Sequence, residues 1–232
     1  MNAKFYEVGG CVRDKLLGLQ PKDIDYAVEA PNYAAMRDAI AVRCGGTGAI
    51  KLEKPEFGTI RAVHPKIGGV DFVLCRREGK YSDGRRPDSV EVGTLEDDLR
   101  RRDFTVNAMA IDDDGNIVDL FGGRGDLARR VLRCVGDTEA RMAEDALRIL
   151  RAIRFAITKQ FSFCGAMRDF LSKKESAGLL AAVSVERVRE ELLRCFMHDT
   201  GATLAALREF PFIEKELFAR NLRLVPTIVS EK

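Results

Sequence analysis

The chain has 232 residues, enough for one or two domains with sizeable cores. Hydrophobic residues make up 46% and charged residues 32%, the balance of a soluble globular protein. The net charge is only +2, so no global basic field announces nucleic acid, and any RNA contact must come from local arginine clusters. No apolar run reaches transmembrane length and the N-terminus MNAKFYEVGG does not read as a signal peptide, so the expected location is the cytoplasm, without a membrane partner. The six cysteines (Cys11, Cys44, Cys75, Cys134, Cys164, Cys195) include no CxxC pair and read as reduced thiols rather than a zinc site or disulfide frame. Two histidines, His64 and His198, argue against histidine metal sites and Ser–His catalysis.

Phe5 to Val8 is aromatic and β-branched, as a strand requires, and Gly9-Gly10 ends it. Val12, Leu16 and Leu19 then recur at helical spacing, with Gly18 as a stop. A glycine turn feeding a helix N-terminus presents unpaired N–H groups, a ready place for phosphate, and Arg13 and Lys15 add positive charge. A second strand is expected over Asp23 to Val28, with Asp23 and Asp25 on one face. Paired carboxylates repel, and Mg²⁺ relieves that repulsion while accepting substrate phosphates. Two such ions about 3.5–4 Å apart suit in-line displacement on a triphosphate.

A lone glycine turn or Asp-x-Asp is weak. The order GGCVRD, LLG, DID is much more specific, and here the sequence resembles the polymerase-β-type nucleotidyltransferase superfamily. More narrowly, it resembles the class II tRNA nucleotidyltransferases (CCA-adding enzymes) and bacterial poly(A) polymerases. The resemblance implies metal ligation by Asp23 and Asp25, and nucleotide contacts from Gly9, Gly10 and Arg13.

Pro31 to Cys44 reads as a helix with Ala34, Met36, Ile40 and Val42 apolar and Gly45-Gly46 as its end. Thr59–His64 and Val70–Cys75 read as two strands of a hairpin. Asp71 is either an edge-strand charge or, beside the Asp23/Asp25 strand, a third catalytic carboxylate that ligates metal or deprotonates a 3′-hydroxyl; the resemblance favours the latter. Arg76 to Pro87 is polar and glycine-broken, a mobile connector on its own terms. In the resembling family this region is a flexible loop needed to add A after C.

Thr94 to Arg102 reads as a helix capped by threonine, with acids first and arginines last. RRDFTVNAMA follows and matches the family's second motif. The match implies that Arg102, Asp103 and Asn107 hold the triphosphate, ribose and local frame of the incoming nucleotide; a guanidinium fork suits phosphate and an amide suits sugar hydroxyls. Residues 110–119 read as a hairpin around Asp114-Gly115. The glycine-rich bend 119–127 reads as a hinge between catalytic head and helical neck.

Thr138 to Ala156 is the strongest predicted helix, with Met142, Ala146, Ile149 and Ile153 as its apolar stripe. Asp145 and Arg148 are either an intrahelical ion pair or a base reader. An aspartate accepting from an amino group and an arginine donating to a ring nitrogen take cytosine or adenine and leave charges unpaired against uracil or guanine. EDALRILRAIRFA resembles the family's fourth motif, in which this Asp and Arg read the base; Arg151 and Arg154 complete the nucleotide-binding set, on phosphate or as structure. Ser184 caps a further helix with Val185, Val188, Leu192 and Phe196 on one face, and Leu204 to Phe210 reads as another, ending at Pro211. Beyond it no clear core pattern is read.

The fold implied is an α/β head with a small mixed β-sheet of the polymerase-β nucleotidyltransferase type, followed by an all-α neck and partial body. The boundaries expected are 1–120 for the catalytic head, 121–180 for the nucleobase-reading neck and 181–232 for a body shorter than the family norm. The activity implied is template-independent addition of C and A to the tRNA 3′ end from CTP and ATP, with Mg²⁺ as cofactor. The alternatives are A-only or poly(A) addition and a non-catalytic RNA- or nucleotide-binding remnant.

Overall fold

The computed structural model describes residues 3–81, 87–220 and 222. They fall into two units, the first formed by 3–81, 87–129 and 133–136, the second by 130–132 and 137 onwards.

In the first unit, β1 (Lys4–Val8) and β2 (Asp25–Glu29) run antiparallel around the short helix α1 (Gly10–Leu16). The helix α2 (Tyr33–Cys44) leads to β3 (Ile50–Lys54), β4 (Thr59–His64) and β5 (Gly68–Leu74), a meander whose last strand lies parallel to β2. β6 (Arg76–Glu78) and β7 (Val90–Val92) pair as a separate ribbon before α3 (Leu95–Arg100). β8 (Ala110–Asp112) and β9 (Ile117–Val118) form a hairpin beside β1, and α4 (Gly123–Ala128) follows. The mixed sheet thus has seven strands in the order β3-β4-β5-β2-β1-β8-β9.

Strand alternation gives the sheet two faces. Phe5, Tyr26, Val28, Ile60 and Phe72 are buried on one, against Met36, Ile40 and Cys44 of α2. Val8, Ala27 and Ala110 are buried on the other, against Leu95 and Leu99 of α3. The buried stripe of α2 is therefore Met36, Ile40 and Cys44; Ala34 and Val42, expected to share it, face solvent because they lie off that side of the helix. The cap of α2 is Asn32, whose side chain accepts from the Ala35 N–H at 2.9 Å.

Several expected boundaries move. β2 begins at Asp25, not Asp23, because its partner β1 ends at Val8, opposite Asp25, where Gly9 turns away at φ 78°. Leu19 lies beyond α1, which closes at Gly18 with φ 71°. The first part of the 76–87 connector is β6, while 82–86 lie outside the described residues. The glycine-rich bend carries α4: Asp119 accepts from the Gly123 and Arg124 N–H groups at 2.7 and 2.9 Å. A Cβ at Gly123 would stand 2.3 Å from the Thr105 carbonyl oxygen, so only glycine fits there.

In the second unit, β10 (Val131–Leu132) pairs parallel with β11 (Ser162–Phe163). The helices are α5 (Thr138–Glu144), α6 (Leu147–Lys159), α7 (Gly165–Leu171), α8 (Lys174–Ala181), α9 (Val185–His198), α10 (Thr200–Arg208) and α11 (Pro211–Ala219). The single helix expected over 138–156 is broken at Asp145, which is extended at φ −146° and ψ 100°. Aspartate competes for the backbone in this way: its side chain accepts from the Leu147 N–H at 3.2 Å and so starts α6 anew. Pro211 opens α11 as well as following α10, since proline is pre-set for a first helical turn, and Ile213 and Leu217 are buried. Among the described residues no helix is long and apolar enough to cross a membrane.

Phe72 is fully buried, stacked on Tyr26 at 5.4 Å and edge-on to Phe5 at 6.0 Å. Phe72→Ala is expected to cost about 3–5 kcal/mol in urea unfolding; a loss under about 1 kcal/mol would show that this face of the sheet is not a packed core.

Candidate active site

The register of the sheet lines up one row of side chains. Leu52 opposes Arg61, Arg61 opposes Asp71, Asp71 opposes Asp25, Asp25 opposes Val8, and Val8 opposes Ala110. Opposed residues project to the same face. The row therefore runs from an exposed apolar end, through a cation and two acids, to an apolar end buried under α3. A cleft of about 430 Å³ opens over the acids, lined by Asp25, Lys54, Arg61, Asp71, Arg101 and Arg102 among others.

Asp25 is open to the cleft, yet the protein around its base desolvates it. That burial, then Asp71, pushes its carboxyl above the ordinary value; Arg102 opposes the rise and Asp23 adds to it. Arg61 offsets Asp71 through an ion pair of 3.5 Å. Asp23 lies in the bend before β2 and is exposed. Two opposed carboxylates with residual repulsion, and a third two residues upstream, are a hard-oxygen donor set suited to Mg²⁺. No group of three or more ligating side chains is gathered for a metal among the described residues. Mg²⁺ does not need one, since it keeps waters and borrows substrate phosphates.

Beside the acids stands a network built from the glycine turn and the RRDFTVNA segment. Gly9 holds a φ of 78°, and a Cβ there would stand 2.9 Å from the Arg102 Nη1, so its two constraints coincide. Arg102 donates to Asp98 at 2.8 Å and, through Nη1, to the Asn107 carbonyl oxygen at 3.4 Å. Arg101 donates to Asp98 at 2.6 Å and pairs with Glu78 at 3.5 Å. Asp98 is fully buried; burial works to raise its carboxyl, but Arg102 and Arg101 outweigh that and hold it below its ordinary value. Arg13 donates to the Asn107 side-chain oxygen at 2.6 Å, which turns the Asn107 amide N–H toward Asp103 at 2.9 Å. Arg13, Asp103 and Asn107 are all buried. Gly10 opens α1, with the Arg13 guanidinium folded back over it.

In the second unit, Asp145 and Arg148 do not form the intrahelical pair. The Arg187 Nη2 donates to both Asp145 carboxylate oxygens at 3.1 Å. Arg148, buried on α6, donates to Glu144 and to the Arg141 carbonyl oxygen, both at 2.7 Å. Arg151 is half-buried on the same helix. Arg154 donates to the buried Glu191 at 2.6 Å and ties α6 to α9.

Residues 5–133 match the family model described as the poly A polymerase head domain. The chain belongs to this family. As a member of the poly A polymerase head domain family, it is 43% identical over 187 residues to a CCA-adding enzyme of Limosilactobacillus fermentum, an alignment covering 80% of this chain and 44% of that protein. The Bacillus stearothermophilus CCA-adding enzyme, solved in complex with CTP, is 33% identical with a TM-score of 0.73, over 93% of this chain and 49% of the other. A tRNA nucleotidyltransferase, solved with a primer tRNA and an incoming ATP analogue, is 34% identical with a TM-score of 0.75, over 93% of this chain and 59% of the other. The chain spans about half the length of these relatives. Its fold is the α/β head of the family with a helical portion after it.

Sequence reading of this family member missed the acids that hold its arginines. Asp98, Glu144 and Glu191 lie in charged runs that read as solvated helix faces, and only the fold buries or encloses them. Arg61 was missed because β3, its flanking strand, was missed; the alternation of Ile50 and Leu52 with Lys51 and Glu53 was the available signal.

Two outcomes follow from the electrostatics. Asp98→Asn removes the buried charge shared by Arg101 and Arg102, leaving Arg101 only its longer pair with Glu78, and is expected to lower stability by about 3 kcal/mol at pH 7. The Asp98 carboxyl is held low, so its contribution is present above the ordinary carboxylate range and fades as pH falls below it; urea unfolding of both proteins from pH 7 to pH 3 checks this, and a pH-independent difference would contradict it. Asp25 is shifted the other way, so its ionisation opposes folding. Asp25→Asn should raise the Tm of the metal-free chain at pH 7, with the gain vanishing as pH falls and wild-type Asp25 takes up its proton. Added Mg²⁺ should raise the Tm of the wild type and leave Asp25→Asn unmoved; equal responses would remove Asp25 from the metal site.

Proposed function

We propose that the chain is a template-independent nucleotidyltransferase that adds C and A to the tRNA 3′ end from CTP and ATP, releasing pyrophosphate. The observation that carries this reading is the in-register opposition of Asp25 and Asp71 in a cleft lined by Arg102, against which the Gly9 turn packs. Relatives named CCA-adding enzymes, and related structures holding CTP or a primer tRNA with an ATP analogue, support it.

In this reading residues 1–120 form the catalytic head, 121–180 a neck that reads the nucleobase, and 181–232 part of a helical body. Asp23 and Asp25 hold Mg²⁺, which when bound supplies Lewis-acid charge stabilisation at the α-phosphate. The Gly9-Gly10 turn, Arg13 and Arg102 take the triphosphate. Asn107 and Asp103 fix the local frame, the Asn107 amide oriented by Arg13 and the Asp103 carboxylate held by that amide and the Phe104 N–H. Asp71 accepts the proton of the 3′-hydroxyl. The 3′ oxygen bonds to the α-phosphorus as the α–β bridge breaks, and pyrophosphate carries away the charge.

Asp145 and Arg148 read the base. The carboxylate accepts from the exocyclic amine shared by cytosine and adenine, and the guanidinium donates to the adjacent ring nitrogen. Uracil and guanine present the opposite pattern and set an acceptor against the carboxylate and a donor against the guanidinium, which costs both hydrogen bonds to the base. Arg151 serves phosphate, and Arg154 supports the reading helix. The reaction belongs to the cytoplasm, where tRNA is matured. The head-family name also favours a second reading, A-only addition to tRNA or as poly(A).

Purified chain, Mg²⁺ and a tRNA lacking its 3′ end test the proposal, with CTP and ATP given separately and together. Addition of C, C and then A, with UTP and GTP ignored, is expected. ATP use alone moves the chain to A-adding enzymes, and no incorporation by a folded chain overturns catalysis. Asp25→Asn should abolish turnover. Arg148→Ala should raise UTP use relative to CTP by roughly ten-fold or more, the worth of one charged hydrogen bond at ~1.5–3 kcal/mol; unchanged exclusion of UTP would remove Arg148 from base reading.

A further inference from the structure

The acids divide the cleft into two unlike sides. Toward β1 lie the glycine turn and Arg102, which the proposed function gives to the triphosphate. Toward β3 lies a shelf with no part in that assignment: Leu52, Lys54, Thr59 and Arg61, all lining the same cleft. The register places them on one face. Leu52 opposes Arg61 and Lys54 opposes Thr59, so the four form a rectangle two residues deep on the outer ribbon of the sheet. β3 is the edge strand, so the shelf is open along its outer side.

The chemistry of the shelf is specific. Leu52 is half exposed, an apolar surface beside charge. Lys54 is exposed, and its ammonium has no hydrogen-bond or ion-pair partner among the described residues. Arg61 reaches Asp71 at 3.5 Å with more than half of its side chain in solvent. Thr59 adds a hydroxyl. Two cations with spare donors beside an apolar platform suit a phosphodiester with a sugar and base laid over it. They do not suit a second triphosphate, because Asp71 stands between them and Asp25 and repels a polyanion.

In-line displacement sets the direction. Nucleophile and leaving group must approach the α-phosphorus from opposite sides. With pyrophosphate leaving toward the glycine turn, the attacking hydroxyl comes from the β3 side, past Asp71. We propose that the β3–β4 shelf is the subsite for the terminal nucleotide of the acceptor RNA strand. Lys54 and Arg61 hold its 5′ phosphodiester, and Leu52 carries its sugar and base. Arg61 thereby links the incoming strand to Asp71, the group that receives the hydroxyl proton. This assignment rests on the transferase reading.

The test separates the two. Binding of a fluorescent single-stranded RNA is read by anisotropy without metal or nucleotide, across a salt series. Lys54→Ala is expected to weaken binding roughly five-fold and to lower the slope of log Kd against log salt by about 0.7, the loss of one single-strand phosphate contact. Leu52→Asp should weaken it further, while Lys174→Ala on α8 should change neither quantity. In the addition assay, Lys54→Ala should raise KM for RNA and leave KM for CTP within about two-fold, since only the acceptor strand loses a phosphate contact. Wild-type affinity and slope in Lys54→Ala, or a raised KM for CTP alone, would overturn the shelf as the acceptor subsite. If the wild type binds RNA through Lys54 yet incorporates no nucleotide, the transferase reading falls and the RNA subsite stands.

Discussion

Everything in the first unit depends on two like charges held opposite each other by a sheet. Asp25 and Asp71 are fixed by backbone register, not by their own preference, and the charge of Asp71 adds to the cost of ionising Asp25. The sheet can impose this because its far face is a full hydrophobic core. Tyr26 and Phe72, the residues after Asp25 and Asp71, point into that core and stack on each other. The same strand alternation that buries these rings exposes the acids. Packing energy on one face thus sustains electrostatic strain on the other, which is how a stable fold carries a site that would be better off without its charges.

The cations show the complementary logic. A flexible guanidinium loses rotamer entropy when it grips a phosphate, so an arginine restrained beforehand binds at lower cost. Here carboxylates provide the restraint: buried Asp98 for Arg101 and Arg102, half-buried Glu144 for Arg148 and buried Glu191 for Arg154. Arg13 acts one step further back, by fixing which way the Asn107 amide faces. Each tie leaves donors of its arginine for another partner, because a guanidinium has five N–H groups and these acids take one or two.

Much of this was legible in the sequence. Local chemistry announces itself: Gly9 sits where φ is positive, Thr94 caps α3 with Asp97 in a reciprocal capping box, and Gly18 closes α1. Asp71 shows where legibility stops. Its neighbours suggest a strand, but that the strand lies parallel to β2 with Asp71 level with Asp25 is a long-range pairing that no local pattern encodes. Asp23 shows another limit: alternation holds only while the ladder lasts, and β1 runs out at Val8, so strand geometry does not fix where Asp23 faces, although its charge still reaches Asp25. Asp98 is harder still, because Glu96-Asp97-Asp98 reads as three solvated acids and only tertiary packing buries the third.

Asp145 joins these lines. Helical spacing put it next to Arg148, and both a trivial ion pair and a base reader could be drawn from that spacing. The break in the helix removes the first option, since an extended Asp145 no longer presents its carboxylate along the α6 surface. What holds it instead is Arg187, from a different helix and far away in sequence. A carboxylate pinned from the side by one guanidinium, and by the Leu147 N–H at its base, has fixed lone pairs. Fixed lone pairs discriminate between an amino group and a carbonyl far better than a mobile side chain, because the mismatch cannot be relieved by rotating away. If Asp145 and Arg148 read the base as proposed, selectivity for C and A would reside less in their identity than in the groups that deny them freedom, and Arg187 and Glu144 would belong to that proposed recognition apparatus as well.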